Sequence, residues 1–249
     1  MEKSGYEVYL TNPHSNGASR EKLYSTAIRR DHPAAILFDM DGVLIDSERM
    51  AQEATFIAAR VLGHPISEAV ALRMIGLGSD ALARMLIAEF GAHFPFEDYQ
   101  RVWNEHYQAR VAKGVAVKSG VAEALAAVRA AGLRAAVATS TGTQFARHKL
   151  AKAGLLTHFE VVVGRDAVTH GKPAPDLYLL AARELGVEAS QCWAFEDSLP
   201  GLTAAVASGA RAHWVPDLAH IHHHELPSGV ETIESLHAIC EWLNTAPKQ

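Results

Sequence analysis

Cysteine is scarce. Cys192 and Cys240 are the whole complement of a 249-residue chain, and they are too widely spaced for a metal-ligand pair. Two thiols make no disulfide framework, so a reduced cytoplasmic setting is the expectation. Long apolar runs are missing as well: nothing approaches the roughly 18 residues of a transmembrane helix, and no membrane partner is expected. Basic residues are not in excess. Lys and Arg number 23 against 28 Asp and Glu, a net charge of -5, which disfavours a phosphate backbone and excludes nucleic acid as the default partner. The first 33 residues lack the apolar segment of a signal peptide; polar and rich in turn formers up to Pro33, residues 1–33 read as a loosely attached N-terminal extension. No repeat or low-complexity tract occurs. Against these absences, 49% hydrophobic and 20% charged residues are ordinary for a globular chain and exclude a disordered one.

What is present is a rhythm. Ala34 to Phe38 is a short apolar run that stops abruptly at Asp39-Met40-Asp41-Gly42, the pattern of a strand buried on both faces. Similar runs recur at 134–139, 159–163, 191–195 and 210–215. Helical spacing fills 121–131, 144–153, 176–185 and 202–208, and these segments run into Gly132, Gly154, Gly186 and Gly209. Strand, helix, glycine, strand predicts an α/β core: a parallel sheet with helices on both faces. Residues 48–115 break the pattern, with helical periodicity at 47–62, 67–74, 79–90 and 96–112 and no strand. The expected organisation is therefore a core built from 34–47 and 116–249, interrupted by a helical cap at 48–115.

In open parallel sheets, functional groups gather at the carboxyl ends of strands. Here those ends carry Asp39 and Asp41, then Thr139-Ser140-Thr141, then Glu196-Asp197-Ser198, while Gly171-Lys172-Pro173 leads into a helix. Carboxylates, a hydroxyl and a lysine at one rim point to a divalent cation and a phosphate. Magnesium takes oxygen ligands, so Asp39, Asp197 and the backbone carbonyl of Asp41 are candidates to hold it. Ser140 and the amides opening the next helix suit phosphate oxygens, and Lys172 adds a point charge.

These segments, FDMDGVLIDSE, TST, GKPAPD and FEDSLPG, resemble in order the four motifs of the haloacid dehalogenase-like hydrolase superfamily. The cap placed between the first two motifs resembles the subgroup of β-phosphoglucomutase-like enzymes and sugar-phosphate phosphatases. The resemblance runs from Ala34 to Pro216. It implies a Rossmann-like parallel sheet core with an inserted α-helical cap, and a monomer or weak dimer. It also implies Asp39 as nucleophile, forming an aspartyl-phosphate, and Asp41 as the acid and base on the leaving oxygen and the water. Ser140, the Thr141 amide and Lys172 would then hold the phosphoryl group. Magnesium would sit on Asp39, Asp41 and Asp197, with Glu196 binding directly or through water. The implied activity is a magnesium-dependent phosphatase acting on a small phosphorylated metabolite, a sugar phosphate or related nucleoside monophosphate. A hexose-phosphate mutase is the alternative, although mutases of the subgroup carry His where this chain has Ala51. A non-catalytic phosphometabolite sensor stands third.

Other features have plainer readings. The cap loop Gly76-Leu77-Gly78 matches part of a dinucleotide pattern but follows a helical segment, so its glycines are expected to face substrate instead. Arg49, beside the first motif, is the candidate for an additional substrate contact. Trp103 and Tyr107, four apart on a helix, are expected in the cap core, and His220, His222, His223 and His224 are read as a solvated loop.

Overall fold

Strand β1 (Ala35–Phe38) is buried at every position because it lies between two other strands and beneath helices on both faces. A computed structural model describes residues 32–74, 77, 79–218 and 221–244; of the N-terminal extension, only His32 and Pro33 fall within them. After β1 come four helices, α1 (Glu48–Val61), α2 (Glu68–Met74), α3 (Ser79–Phe90) and α4 (Phe96–Ala112). The chain then alternates: α5 (Val121–Ala130), β2 (Arg134–Ala138), α6 (Thr143–Lys152), β3 (Val161–Val163), α7 (Asp176–Glu184), β4 (Cys192–Glu196), α8 (Leu199–Ala207) and β5 (Arg211–Trp214). It closes with a two-residue β6 (Glu231–Thr232) and α9 (His237–Asn244), which the sequence pattern did not predict.

The sheet is wholly parallel among the described residues, in the order β3-β2-β1-β4-β5-β6. Successive residues of a strand point to opposite faces, and the two faces build separate cores. Ile36, Phe38, Val137 and Phe195 face α5, α6 and α9, whereas Ala35, Leu37, Ala136 and Ala194 face α7 and α8. Small residues on the second face let those helices approach closely. The four inserted helices share a third cluster around Ala58, Val70, Leu86, Phe94 and Val102. Helices α1 and α4 reach back to the first core through Met50, Ala54 and Val111.

The strand order reverses its direction of growth at β1, whose neighbours are β2 and β4. In such sheets the loops leaving the strands on either side of the reversal diverge and open a crevice at their carboxyl ends. That is where β1 delivers Asp39 and β4 delivers Glu196 and Asp197.

Candidate active site

Asp39, Glu196 and Asp197 are all buried, and each offers a carboxylate oxygen within 4.8 Å of the others. The parallel register explains this: Phe38 lies opposite Phe195, so the residues that follow emerge side by side. Two glycines permit the crowding. Gly42, at φ +85°, has Asp197 pressed against the space a Cβ would fill, and the corresponding space at Gly201 is taken by the Glu196 carboxylate. A left-handed backbone and close approach both require glycine at position 42.

Lys172 enters this acid cluster from the segment preceding α7. It is almost fully buried, donates to both Asp39 Oδ1 and Glu196 Oε1, and lies over the Tyr178 ring at 5.3 Å. The Tyr178 hydroxyl donates to Glu196 Oε1 at 2.7 Å, and Ser198 donates to Glu196 Oε2 through its Oγ at 3.1 Å and its amide at 3.3 Å. Ser198 also caps α8, its Oγ accepting from the Gly201 amide at 3.2 Å. Glu196 thus fixes Lys172 and the start of α8.

Burial pushes the Asp39 carboxyl up to about 8; Lys172 pulls against this, while Glu196 and Asp41 reinforce it. Asp197 is raised well above the usual carboxylate range, first by burial and then by Asp39 and Glu196. Three carboxylates face one ammonium, leaving two negative charges if all ionise. That charge and an all-oxygen donor set fit a hard divalent cation. The residues therefore fit magnesium.

Asp41 belongs to a second network. Its Oδ1 accepts from Ser47 Oγ at 2.5 Å and from Lys149 Nζ at 2.5 Å, and its Oδ2 accepts from Thr141 Oγ1 at 2.8 Å. Burial alone would raise this carboxyl, but the Lys149 charge and the three donors outweigh it and hold Asp41 below its ordinary value. Lys149, on α6 and only 2% exposed, also bonds Thr141 Oγ1 at 3.2 Å and the Tyr107 hydroxyl of α4 at 3.3 Å. Nothing in the motif pattern singled it out; among Arg147 and Lys152 it reads as solvated charge.

The remaining expected residues divide. Ser140 is exposed at the rim beside Thr141, whose amide donates to Thr139 Oγ1 at 3.1 Å. The start of α6 is capped from another loop, with Asp166 Oδ1 accepting from the Thr143 amide at 2.7 Å, which leaves the Ser140 hydroxyl out of that role. Arg49 points to solvent and pairs with Asp46 at 3.1 Å. Gly76 and Gly78 lie outside the described residues. His222, His223 and His224 sit at an exposed turn; among the described residues, only the Asp39 cluster has the spacing to hold a metal.

Fold and site together define an α/β enzyme with a carboxylate-lined crevice at the reversal point of its sheet. The chain belongs to the haloacid dehalogenase-like hydrolase family, whose model matches residues 33–209. It is 33% identical over 175 residues to the phosphorylated carbohydrates phosphatase of Thermotoga maritima, spanning 70% of this chain and 81% of that one. It is 34% identical to the fructose-1-phosphate phosphatase YqaB of Escherichia coli, spanning 72% and 94%. Among solved structures, CbbY of Rhodobacter sphaeroides in complex with xylulose-(1,5)bisphosphate is 30% identical with a TM-score of 0.67, covering 83% of this chain and 96% of that one. The expected family and fold are borne out.

Proposed function

We propose that this hydrolase is a magnesium-dependent phosphatase of small phosphate monoesters, working through an aspartyl-phosphate on Asp39. The observation that carries the reading is the buried Asp39–Glu196–Asp197 cluster with Lys172 bonded into it, at the sheet's reversal point. Asp39 and Asp197, with the Asp41 carbonyl, would hold magnesium, and Glu196 would add its charge directly or through water. When bound, the ion neutralises phosphate oxygens and keeps Asp39 ionised.

The chain's own groups supply the rest. The Asp39 carboxylate attacks phosphorus and displaces the alcohol. Lys172, tethered by Asp39 and Glu196, would lie beside the transferring group and stabilise its equatorial charge, while Ser140 and the Thr141 amide, released from Thr139 Oγ1, would complete the cradle. Asp41 delivers a proton to the leaving oxygen, then accepts one from the water that hydrolyses the acyl phosphate. In the structure Asp41 is held as a carboxylate by Ser47, Thr141 and Lys149, the form that acts as base in the second step. To act first as acid it takes up a proton and gives up part of that network. Residues 48–115 serve as a cap over this crevice, excluding water and seating the leaving group.

The test is phosphate release from a panel of monoesters, with magnesium and with EDTA, for the wild type and Asp39→Asn. The expected outcome is turnover that requires magnesium and falls by at least about a thousandfold in the variant, whose melting temperature is preserved. Activity in Asp39→Asn near that of the wild type would overturn the nucleophile assignment.

A further inference from the structure

Between the inserted helices and the core lies a cavity of about 320 Å³ whose walls come from α1, α2, α3, α4 and Leu218. That is the lower end of the size range of small-molecule sites, roughly 300–1,000 Å³. It adjoins the acid cluster: Glu48 in its wall follows Ser47, which bonds Asp41, and Leu218 follows Asp217, which lies beside Gly42. Asp39 and Lys172 do not line it, but a molecule whose phosphate sat beside them would have this space within reach of its other end.

The walls have a definite chemistry. Ala51, Ala71, Met74, Leu82 and Trp103 make them mostly apolar. Trp103 cannot turn freely: it stacks on Tyr107 at 4.7 Å, and its Nε1 donates to Ala51 O at 3.2 Å and Thr55 Oγ1 at 3.1 Å. Gln52, Gln100 and Asn104 add amides. The Tyr99 hydroxyl is buried in the same wall, in a residue 1% exposed, with the Thr55 hydroxyl beside it in poor hydrogen-bond geometry. A buried hydroxyl left unpaired is costly, and a ligand hydroxyl or carbonyl would satisfy it.

Charge is what separates the possible occupants. Among the described lining residues Glu48 is the one acid, its carboxyl pushed up to about 7 chiefly by burial, and no Lys, Arg or His is among them. Four arginines of the inserted helices are paired elsewhere: Arg49 with Asp46, Arg73 with Glu89, Arg101 with Asp98 and Glu105, and Arg110 with Glu53. A second phosphate or a carboxylate on the substrate would meet Glu48 and apolar side chains, and no cation among the described walls. Burying an unpaired charge in this way is strongly unfavourable.

Building on the phosphatase reading, we infer that the cavity selects monoesters whose leaving group is uncharged and hydroxyl-bearing, with an apolar face, and rejects bisphosphates and phosphorylated acids. The site thereby differs in preference from the CbbY neighbour crystallised with a bisphosphate. It also fits a hydrolase better than a mutase working through a bisphosphate.

The test is a matched pair. For the wild type with magnesium, kcat/KM for fructose 1-phosphate is expected to exceed that for fructose 1,6-bisphosphate by roughly a hundredfold or more. Gln52→Arg, which places a cation in the wall, should narrow that ratio. Calorimetry of Asp39→Asn with the same two esters measures the preference without turnover. Equal or better handling of the bisphosphate in both assays overturns the inference and leaves the phosphatase reading intact. Selective binding of the monophosphate with no turnover by the wild type supports the cavity assignment and sinks the phosphatase reading. Failure to bind either ester overturns the inference whatever the activity.

Discussion

Lys149 shows how a single side chain can carry structure that no motif announces. It is buried with one carboxylate partner, Asp41, and two hydroxyl neighbours, so its charge is raised in basicity by Asp41 against the opposing effect of burial. Removing one member of a buried ion pair leaves the other uncompensated. Lys149→Met is expected to destabilise the fold by roughly 3 kcal/mol in denaturant unfolding. The double variant Asp41→Asn/Lys149→Met should recover part of that loss, and strict additivity would show that the pair is not coupled. Gly42→Ala tests the opposite kind of residue, one defined by having no side chain. Its positive φ costs about 1–2 kcal/mol for alanine, and the new methyl displaces Asp197. Loss of magnesium binding by calorimetry, beyond the loss of stability, is the expected result. Asp39 and Asp197 could be read together from the sequence because each follows a buried strand, and Lys172 because it stands between Gly171 and the start of a helix. Lys149 could not be, because its burial comes from the packing of α6 against α4, which local sequence does not encode.

At the level of elements, the alternation of apolar runs and glycine-ended helices located β1 to β5 and their helices to within two residues, except that α8 begins at Leu199, three residues before the expected 202. The four inserted helices were equally clear, even the seven-residue α2. The C-terminal pair was missed for a physical reason. A two-residue β6 is too short for any period to show, and its existence depends on pairing with His213 and Trp214 of β5. Helix α9 spans eight residues, and Ile239 and Leu243, with Leu236 just before its start, mark the buried side at spacings of three and four. It seals the core over α5, and Trp242 meets His213, Trp193 and Phe195. Ile239→Ala, at a fully buried position, should cost about 3 kcal/mol in denaturant unfolding with kcat/KM little changed. A loss below about 0.5 kcal/mol would mean that α9 is an ornament rather than part of the core.

For the molecule as a whole, the acid cluster couples folding to protons and, on the function proposed above, to metal. An unfolded Asp titrates near roughly 3.9, whereas buried Asp39 does so at about 8. Between those values the native state keeps a proton that the unfolded chain has released, so the metal-free protein loses stability as pH rises through that window. A cation that replaces the proton binds more tightly as pH rises through the same interval. The rise in melting temperature produced by magnesium should therefore be larger at about pH 8 than at about pH 6. A shift independent of pH would show that Asp39 is already ionised in the metal-free protein. One further consequence follows from the placement of aromatic residues. Of the four tryptophans, Trp193 and Trp214 are buried in the sheet and Trp242 packs against it, while Trp103 stands in the wall of the cap cavity, its indole nitrogen already bonded. Its fluorescence is thus a native optical reporter of cavity filling: a ligand that enters dries and quenches or brightens one indole while the other three keep a constant background. Occupancy can be followed in real time, without dye, label or turnover.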